Sequence, residues 1–324
     1  GYVLDRKDWI EHAKERLLAQ EKWAFNEEMV HTENSPGYAN GVAIIFRSIG
    51  QFLSQNGDPL GEQLVADMEK TREFIGWTIK PNGIVAQVGD TGNSPGQLYA
   101  SPEKMRRHTP EEHKIYPLAG YYFYRSNRDE EPKQDTWKLL KCGYVQTTHK
   151  HADDASFMLY AKGYEIFSDG GIYGYAKDPF RAYFVSALAH NTVVVDGASY
   201  PCDKAHVDAC GMSGYEFFPD YDHIRVFNNA YEGVHFQRDF CSADDMTLIL
   251  DTLSSEQEHT YSQLFHLGEN MEVLLAKDRE VVLKLADSGY IVRLRQYGAP
   301  AKLSVIRGDL KKAGYGLISR GENH

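Results

Sequence analysis

The chain has 324 residues, 42% hydrophobic and 25% charged, the balance of a globular protein long enough for two domains. Its net charge of −11 speaks against a nucleic-acid partner, although a local basic cleft for an acidic ligand can coexist with an acidic total. No apolar run approaches the length of a membrane span. Four cysteines, Cys142, Cys202, Cys210 and Cys241, contain no C-x-x-C and speak against a cysteine-ligated zinc centre.

In chain order, residues 5–30 read as a helix, because Ile10, Ala13, Leu17, Leu18 and Trp23 follow a helical period. His31 to Gly41, HTENSPGYANG, carries Pro and two Gly and reads as a loop. Residues 42–55 and 60–79 are two further amphipathic helices, with a break at Asn56-Gly57. PNG at 81–83 opens a long loop, and residues 110–125 are expected to form a last helix with Pro110 in its first turn. The polar, aperiodic stretch SNRDEEPKQD, residues 126–135, marks the expected domain boundary. Beyond it, short runs such as KLLKCGYVQTTHKH, SFMLYAKG, YEIFSDG, NTVVVDG, HIRVFNNAY, MTLILDTLS and AKLSVIRG are separated by Gly, Asn and Asp turns. They predict an antiparallel sandwich or barrel. The fold class is therefore α+β: a helical part over 1–125 followed by an antiparallel β part over 126–324.

The densest chemistry lies between His149 and Asn191. His149-Lys150-His151 is an H-x-H pair, and on a strand residues i and i+2 share a face. Asp169 ends the run YEIFSD, and His190 opens HNTVVVDG. Two imidazoles and a carboxylate on neighbouring strands suit zinc, which points to His151, Asp169 and His190 as ligands and leaves His149 free for acid–base work.

The order H-x-H-x-D-x-x-S-F, G-Y-E-I-F-S-D-G-G-x-Y-x-Y, R-x-Y, then A-H-N-T-V-x-V-D-G resembles the C-terminal domain of the heparinase II/III-type polysaccharide lyases over about 50 positions. The resemblance implies a structural zinc on His151, Asp169 and His190 and a catalytic role for His149. It implies that the helices are the last part of an incomplete (α/α) toroid preceding a β-sandwich. The segment Glu33 to Tyr38, ENSPGY, is similar to the family segment that carries the catalytic tyrosine, here Tyr38.

Such a lyase cleaves a uronic-acid-containing polysaccharide by β-elimination. One group removes the C5 proton and another protonates the O4 leaving group, while donors neutralise the uronate carboxylate. The Asn or His pair that does this in the family would fall before residue 1. Three expectations follow: a fragment of a longer lyase, a protein that has lost activity, or substitution of that pair by Asn34 or Arg181, the latter able to meet an acidic sugar bidentately. The expected partner is an acidic polysaccharide or oligosaccharide, with oligomerisation allowed. The expected location is periplasmic or secreted, or cytoplasmic for an imported oligosaccharide. Two rival readings are a non-catalytic carbohydrate-binding remnant and a cupin-like metalloenzyme. The second lacks the Glu that cupins place after H-x-H, where Ala155 and Ser156 stand here.

Overall fold

In a computed structural model, which describes residues 1–95, 109, 111–126 and 131–320, three long helices precede a series of antiparallel sheets. Helix α1 spans Lys7–Ala24 and ends before residue 30, because the Asn26 side chain accepts from Glu28 N and Val30 N and folds the chain into a turn. Helix α2 spans Pro36–Gln55 and starts earlier than the hydrophobic pattern suggests. Ser35 caps it, accepting from Tyr38 N, and Pro36 occupies the first helical position. Tyr38 therefore sits in a helical first turn, not in a loop. Helix α3 spans Leu60–Thr78. It crosses α2 so closely that a Cβ on Gly61 would meet Ser54 N at 2.3 Å and Gly50 O at 2.5 Å.

The expected helix over 110–125 is corrected over its described residues, 111–125; Pro110 lies outside the described residues. His113–Tyr116 (β1) and Tyr121–Arg125 (β2) are strands, joined by consecutive antiparallel pairing to Trp137–Lys141 (β3), Ser156–Ala161 (β4) and Tyr164–Phe167 (β5). The expected boundary at 126–135 thus lies inside one sheet, between β2 and β3. The cause of the misreading is burial on both faces. Every residue of β2 and of β3 is buried, so YYFYR and WKLLK show no alternation, and a short unalternating apolar run does not distinguish helix from strand.

The two faces have different neighbours. Tyr121 and Phe123 point to the helices, with the Phe74 ring 5.1 Å from Tyr121 and the Trp77 ring 6.2 Å from Phe123. The Trp137 indole donates to Trp77 O at 2.9 Å. Tyr122 and Phe157 point the other way, 6.2 and 5.8 Å from Phe240, onto a second sheet. That sheet contains Cys210–Phe217 (β7), Asp222–Asn228 (β8), Val234–Ser242 (β9) and Thr247–Ser255 (β10) in the order β10-β9-β8-β7. Val193–Val195 (β6) pairs with Tyr261–Gln263 (β11). Met271–Lys277 (β12), Glu280–Leu285 (β13) and Ile291–Arg295 (β14) form a three-stranded sheet. The run AKLSVIRG, expected as a strand, is not one, and β7, whose Gly211 and Gly214 interrupt the pattern, was not anticipated.

Arg125, at the end of β2, ties the layers together. It is buried, donates to Ile79 O at 2.7 Å and Gly76 O at 3.3 Å, and places its cation at the carbonyl end of α3, where the helix dipole favours it. Phe123→Ala is expected to cost about 3–5 kcal/mol of stability in chemical denaturation. A loss below about 1 kcal/mol would mean that the sheet is not packed on both faces.

Candidate functional site

The H-x-H pair is not on a strand. β3 ends at Lys141, and His149 to His151 lie in the loop before β4. His149 takes a left-handed backbone, φ 56°, an uncommon state for a residue with a Cβ. The two imidazoles therefore do not share one pocket as strand geometry would require. His149 turns toward α2, and His151 turns into the protein.

Lys150 between them points inward and is fully buried. It pairs with Asp153 and, at 2.9 Å, with Asp154. Burial would lower its pKa, but these carboxylates raise it well above the usual lysine range. For Asp153 burial alone would raise the pKa, and Lys150 more than reverses that. An unpaired charge here would be severely costly, so the compensated cluster fixes how the loop runs.

Two further loops hold it. Asn34, itself left-handed at φ 59°, donates its amide to Gln146 O at 2.5 Å and Thr148 O at 3.1 Å. Asp90 N donates to His149 O at 3.3 Å. Gly89, at φ 54°, has no room for a Cβ: one would stand 2.5 Å from both Asn34 O and His149 O. Asn34 was expected to meet substrate; instead it is buried and its amide is spent on the backbone of this loop.

Tyr38 and His149, separated by about 110 positions, are in contact. Their rings stack at 3.8 Å between centroids and 9° between planes. The contact leaves no space for a sugar ring between them. Glu33 Oε2 lies 3.1 Å from His149 Nδ1, an ion-pair distance without hydrogen-bond alignment. Tyr38 hydroxyl meets Tyr175 hydroxyl at 2.7 Å. Partial burial and then the Tyr38 bond raise the pKa of Tyr175, and either hydroxyl can donate to the other. Tyr38 and Tyr175 are 39% and 54% exposed, so the cluster is open to solvent. Tyr173, Tyr175 and Tyr183 are the three tyrosines of the strings G-G-x-Y-x-Y and R-x-Y, and Tyr175 is the one that meets Tyr38. Tyr183 is buried, and Tyr173 stacks on Phe180 at 5.1 Å.

Arg181 stands in the short helix α4, Pro179–Phe184, which Asp178 caps. It was expected to await an acidic sugar. In the structure its guanidinium grips both oxygens of Asp90, one at 3.0 Å, and its Cζ lies 5.3 Å over the Tyr175 ring. The other face of Asp90 receives His151 Nε2 at 2.8 Å. Burial tends to raise the pKa of Asp90, but the bonds to His151 and Arg181 prevail and bring it down to about 2. Sequence reading passed over Asp90, in the loop after α3, because a single Asp beside Gly and Thr looks like turn chemistry.

His190 and Asp169 also come together, His190 Nδ1 lying 2.8 Å from Asp169 Oδ2. Burial lowers the pKa of His190 and the adjacent carboxylate raises it, with a net rise. The other Asp169 oxygen accepts from Gly171 N at 3.0 Å. The His151 and His190 rings are 5.6 Å apart, and His151 Nδ1 and His190 Nε2 are buried with no hydrogen-bond partner among the described residues. That is donor chemistry zinc accepts. Yet among the described residues no three His, Cys, Asp or Glu side chains are arranged to hold a metal ion: Asp169 is paired to His190, and His151 to Asp90.

Residues 108–316 match the family model described as heparinase II/III-like, C-terminal. The chain belongs to that family. A heparin-sulfate lyase of Pedobacter heparinus is 26% identical to this heparinase II/III-like chain over 124 residues, which is 37% of the chain and 18% of the relative. Among solved structures, the heparinase III BT4657 gene product superposes with a TM-score of 0.70 at 15% identity, covering 83% of this chain and 45% of its own. The heparan sulfate lyase HepC of Pedobacter heparinus gives 0.69 at 18% identity, covering 82% and 46%. At these identities the superpositions show a shared fold. The chain spans less than half the length of each of these three relatives.

One group near the site gives a stability test. His31, buried behind His149, has its pKa lowered by burial and then by His149, to about 4. A histidine depressed in the folded state binds fewer protons there than in the unfolded chain. Its contribution is therefore whole above the unfolded value of about 6.5 and is lost as pH falls toward 4. His31→Gln should flatten the decline in stability across this window by up to about 3 kcal/mol, measured by denaturation at a series of pH values. An unchanged slope would place the His31 ring in water.

Proposed function

We propose that this chain is the catalytic-face portion of a polysaccharide lyase that cleaves a uronic-acid-containing, glycosaminoglycan-like polymer by β-elimination. The observation that carries the reading is the solvent-open contact of Tyr38 with His149, two proton-handling groups from distant parts of the chain. In the reaction, one of the pair takes the C5 proton. The electrons form the C4–C5 double bond, the C4–O4 bond breaks, and O4 receives a proton from the other. Tyr175 holds the Tyr38 hydroxyl in place through the bond between their two hydroxyls. Arg181, tied to Asp90, lies over the Tyr175 ring and keeps it beside the pair, and Asn34 acts by holding the loop that carries His149. The helices α1–α3 take the place of the last helices of an (α/α) toroid, with the two large sheets as its β-sandwich partner.

A structural zinc belongs to the same proposal, held by His151, Asp169 and His190. Bound there, it would tie the β3–β4 loop to the segments after β5 and before β6 and take up the two unpartnered imidazole nitrogens. Neither elimination nor proton transfer depends on it. A periplasmic or secreted location fits a polymeric substrate.

The stacked Tyr38–His149 pair, with no gap for a sugar ring, favours a second reading: a carbohydrate-binding protein that does not cut. The ultraviolet absorbance of the unsaturated uronate separates the two. Heparan sulfate, chondroitin, hyaluronan and alginate are each incubated with the protein, and binding is measured alongside. Binding without product on any polymer leaves the second reading.

With an active substrate in hand, Tyr38→Phe and His149→Ala are each expected to lower kcat by about 10²–10⁴-fold, with substrate affinity and melting temperature near wild type. His151→Ala should lower the melting temperature instead, because it leaves buried polar groups unpaired. Equal melting temperatures for the His149 and His151 variants would remove the division of labour between them, and elemental analysis without zinc would remove the metal.

A further inference from the structure

Six side chains form a closed ring of contacts around the candidate site. His149 stacks on Tyr38, whose hydroxyl meets that of Tyr175. The Tyr175 ring lies under Arg181, which grips Asp90, and Asp90 binds His151. His151 returns through the loop to His149. Asp90 touches the loop through both main chain and side chain, since its N–H also donates to His149 O. Its carboxyl is buried, with 1% of the side chain exposed, and both its oxygens are used.

From this geometry we infer that Asp90 is the positioning residue of the site: it fixes the ring orientation of His151 and the place of Arg181 over Tyr175, and through Tyr175 the place of the Tyr38 hydroxyl. An ionised carboxylate can only accept hydrogen bonds. The proton of the His151 imidazole must then reside on Nε2, and Nδ1 is the bare nitrogen that faces the interior without a partner. On the other side, two parallel bonds hold the guanidinium in one plane, and that plane is where Tyr175 needs it. Gly89 allows this approach. Any side chain there would strike the carbonyls of Asn34 and His149 and lift Asp90 away from both partners. Ser35 and Thr91 hydroxyls, 2.8 Å apart, fasten the next residue of the same loop to the cap of the helix that bears Tyr38. One loop thus sets α2, the H-x-H segment and α4 relative to one another.

The kinetic part of this inference rests on the lyase reading, whereas the structural part does not, and the experiment reads them separately. In the wild-type protein, nitrogen-edited NMR should show a slowly exchanging imidazole N–H bonded to a carboxylate, with the Nε2–H tautomer. Asp90→Ala should abolish that slow exchange while circular dichroism keeps the folded spectrum. Persistence of the protected ring proton in the folded variant would overturn the assignment. With a cleaved substrate, Asp90→Asn should lower kcat about 10–100-fold through misplacement and leave KM within about twofold. Arg181→Ala should lower kcat too, and the double variant should be no worse than the more damaged single one, because the two residues act as a unit. Additive losses, or a raised KM at unchanged kcat, would overturn it. Should the wild type cut no polymer, the lyase reading falls, and the ring-proton measurement still decides the role of Asp90.

Discussion

The site depends on one constraint, the burial of the five-stranded sheet on both faces. Helices cover one side through Phe74 and Trp77, and the sheet β7–β10 covers the other through Phe240. A sheet clamped in this way has freedom only at its ends. The loop leaving β3 at one end must run along the seam between helices and strands, and the first turn of α2 opens onto the same seam. The meeting of Tyr38 with His149 follows from where the clamped layers end, with no long-range attraction between the two rings needed.

Charge is handled by compensation inside this frame. Lys150 is paired with Asp153 and Asp154. Lys80 pairs with Glu165, and Arg238 grips Asp251 at 2.7 Å through two bonds while donating to Asn191 O at 2.8 Å. Arg238 is fully buried, so it is a strut between sheets and has no part in meeting a ligand. Buried pairs of this kind add little net stability against apolar replacements, but breaking one partner is costly. Their effect is to specify one path for each loop, which a cluster of interchangeable apolar contacts would not do.

The sequence made the helices α1 to α3 legible through a 3.6-residue period, and most strands through turn residues and β-branched runs. It failed where its signals are local and the cause is not. Nothing in YYFYR tells a reader that helices will cover one face and a second sheet the other. The spacing of His149 and His151 suggested a strand, but Lys150 is drawn into a buried charge cluster, and the left-handed turn at His149 sends the two rings apart. The identities of Tyr38, His151, Asp169, His190 and Arg181 stood out because they sit in a distinctive string. Asp90 carries no such string, and its importance comes wholly from three elements converging on it. Tyr175 was visible only as one tyrosine among several.

The stacking of Tyr38 on His149 limits how any sugar can use the pair. A ring placed between them needs two van der Waals gaps, roughly 7–8 Å in all, and the centroids are 3.8 Å apart. The backbones on either side are held: Tyr38 by the capped start of α2, His149 by Asn34, Asp90 and the buried Lys150. The gap can therefore open only through side-chain rotation. His149 lies between Tyr38 and Glu33, whereas Tyr38 is more exposed and is tied at its tip by one hydroxyl bond to Tyr175. Tyr38 is thus the side chain that would swing, and the energy needed is that of one partly solvated hydrogen bond and one ring contact, each on the order of 1 kcal/mol. A substrate that approaches along the rim needs no such motion, because the Tyr38 and Tyr175 hydroxyls already face one another there. The proposed reaction is compatible with either path, and the cost of opening the pair, on the order of 2 kcal/mol, is small enough for substrate contacts to offset.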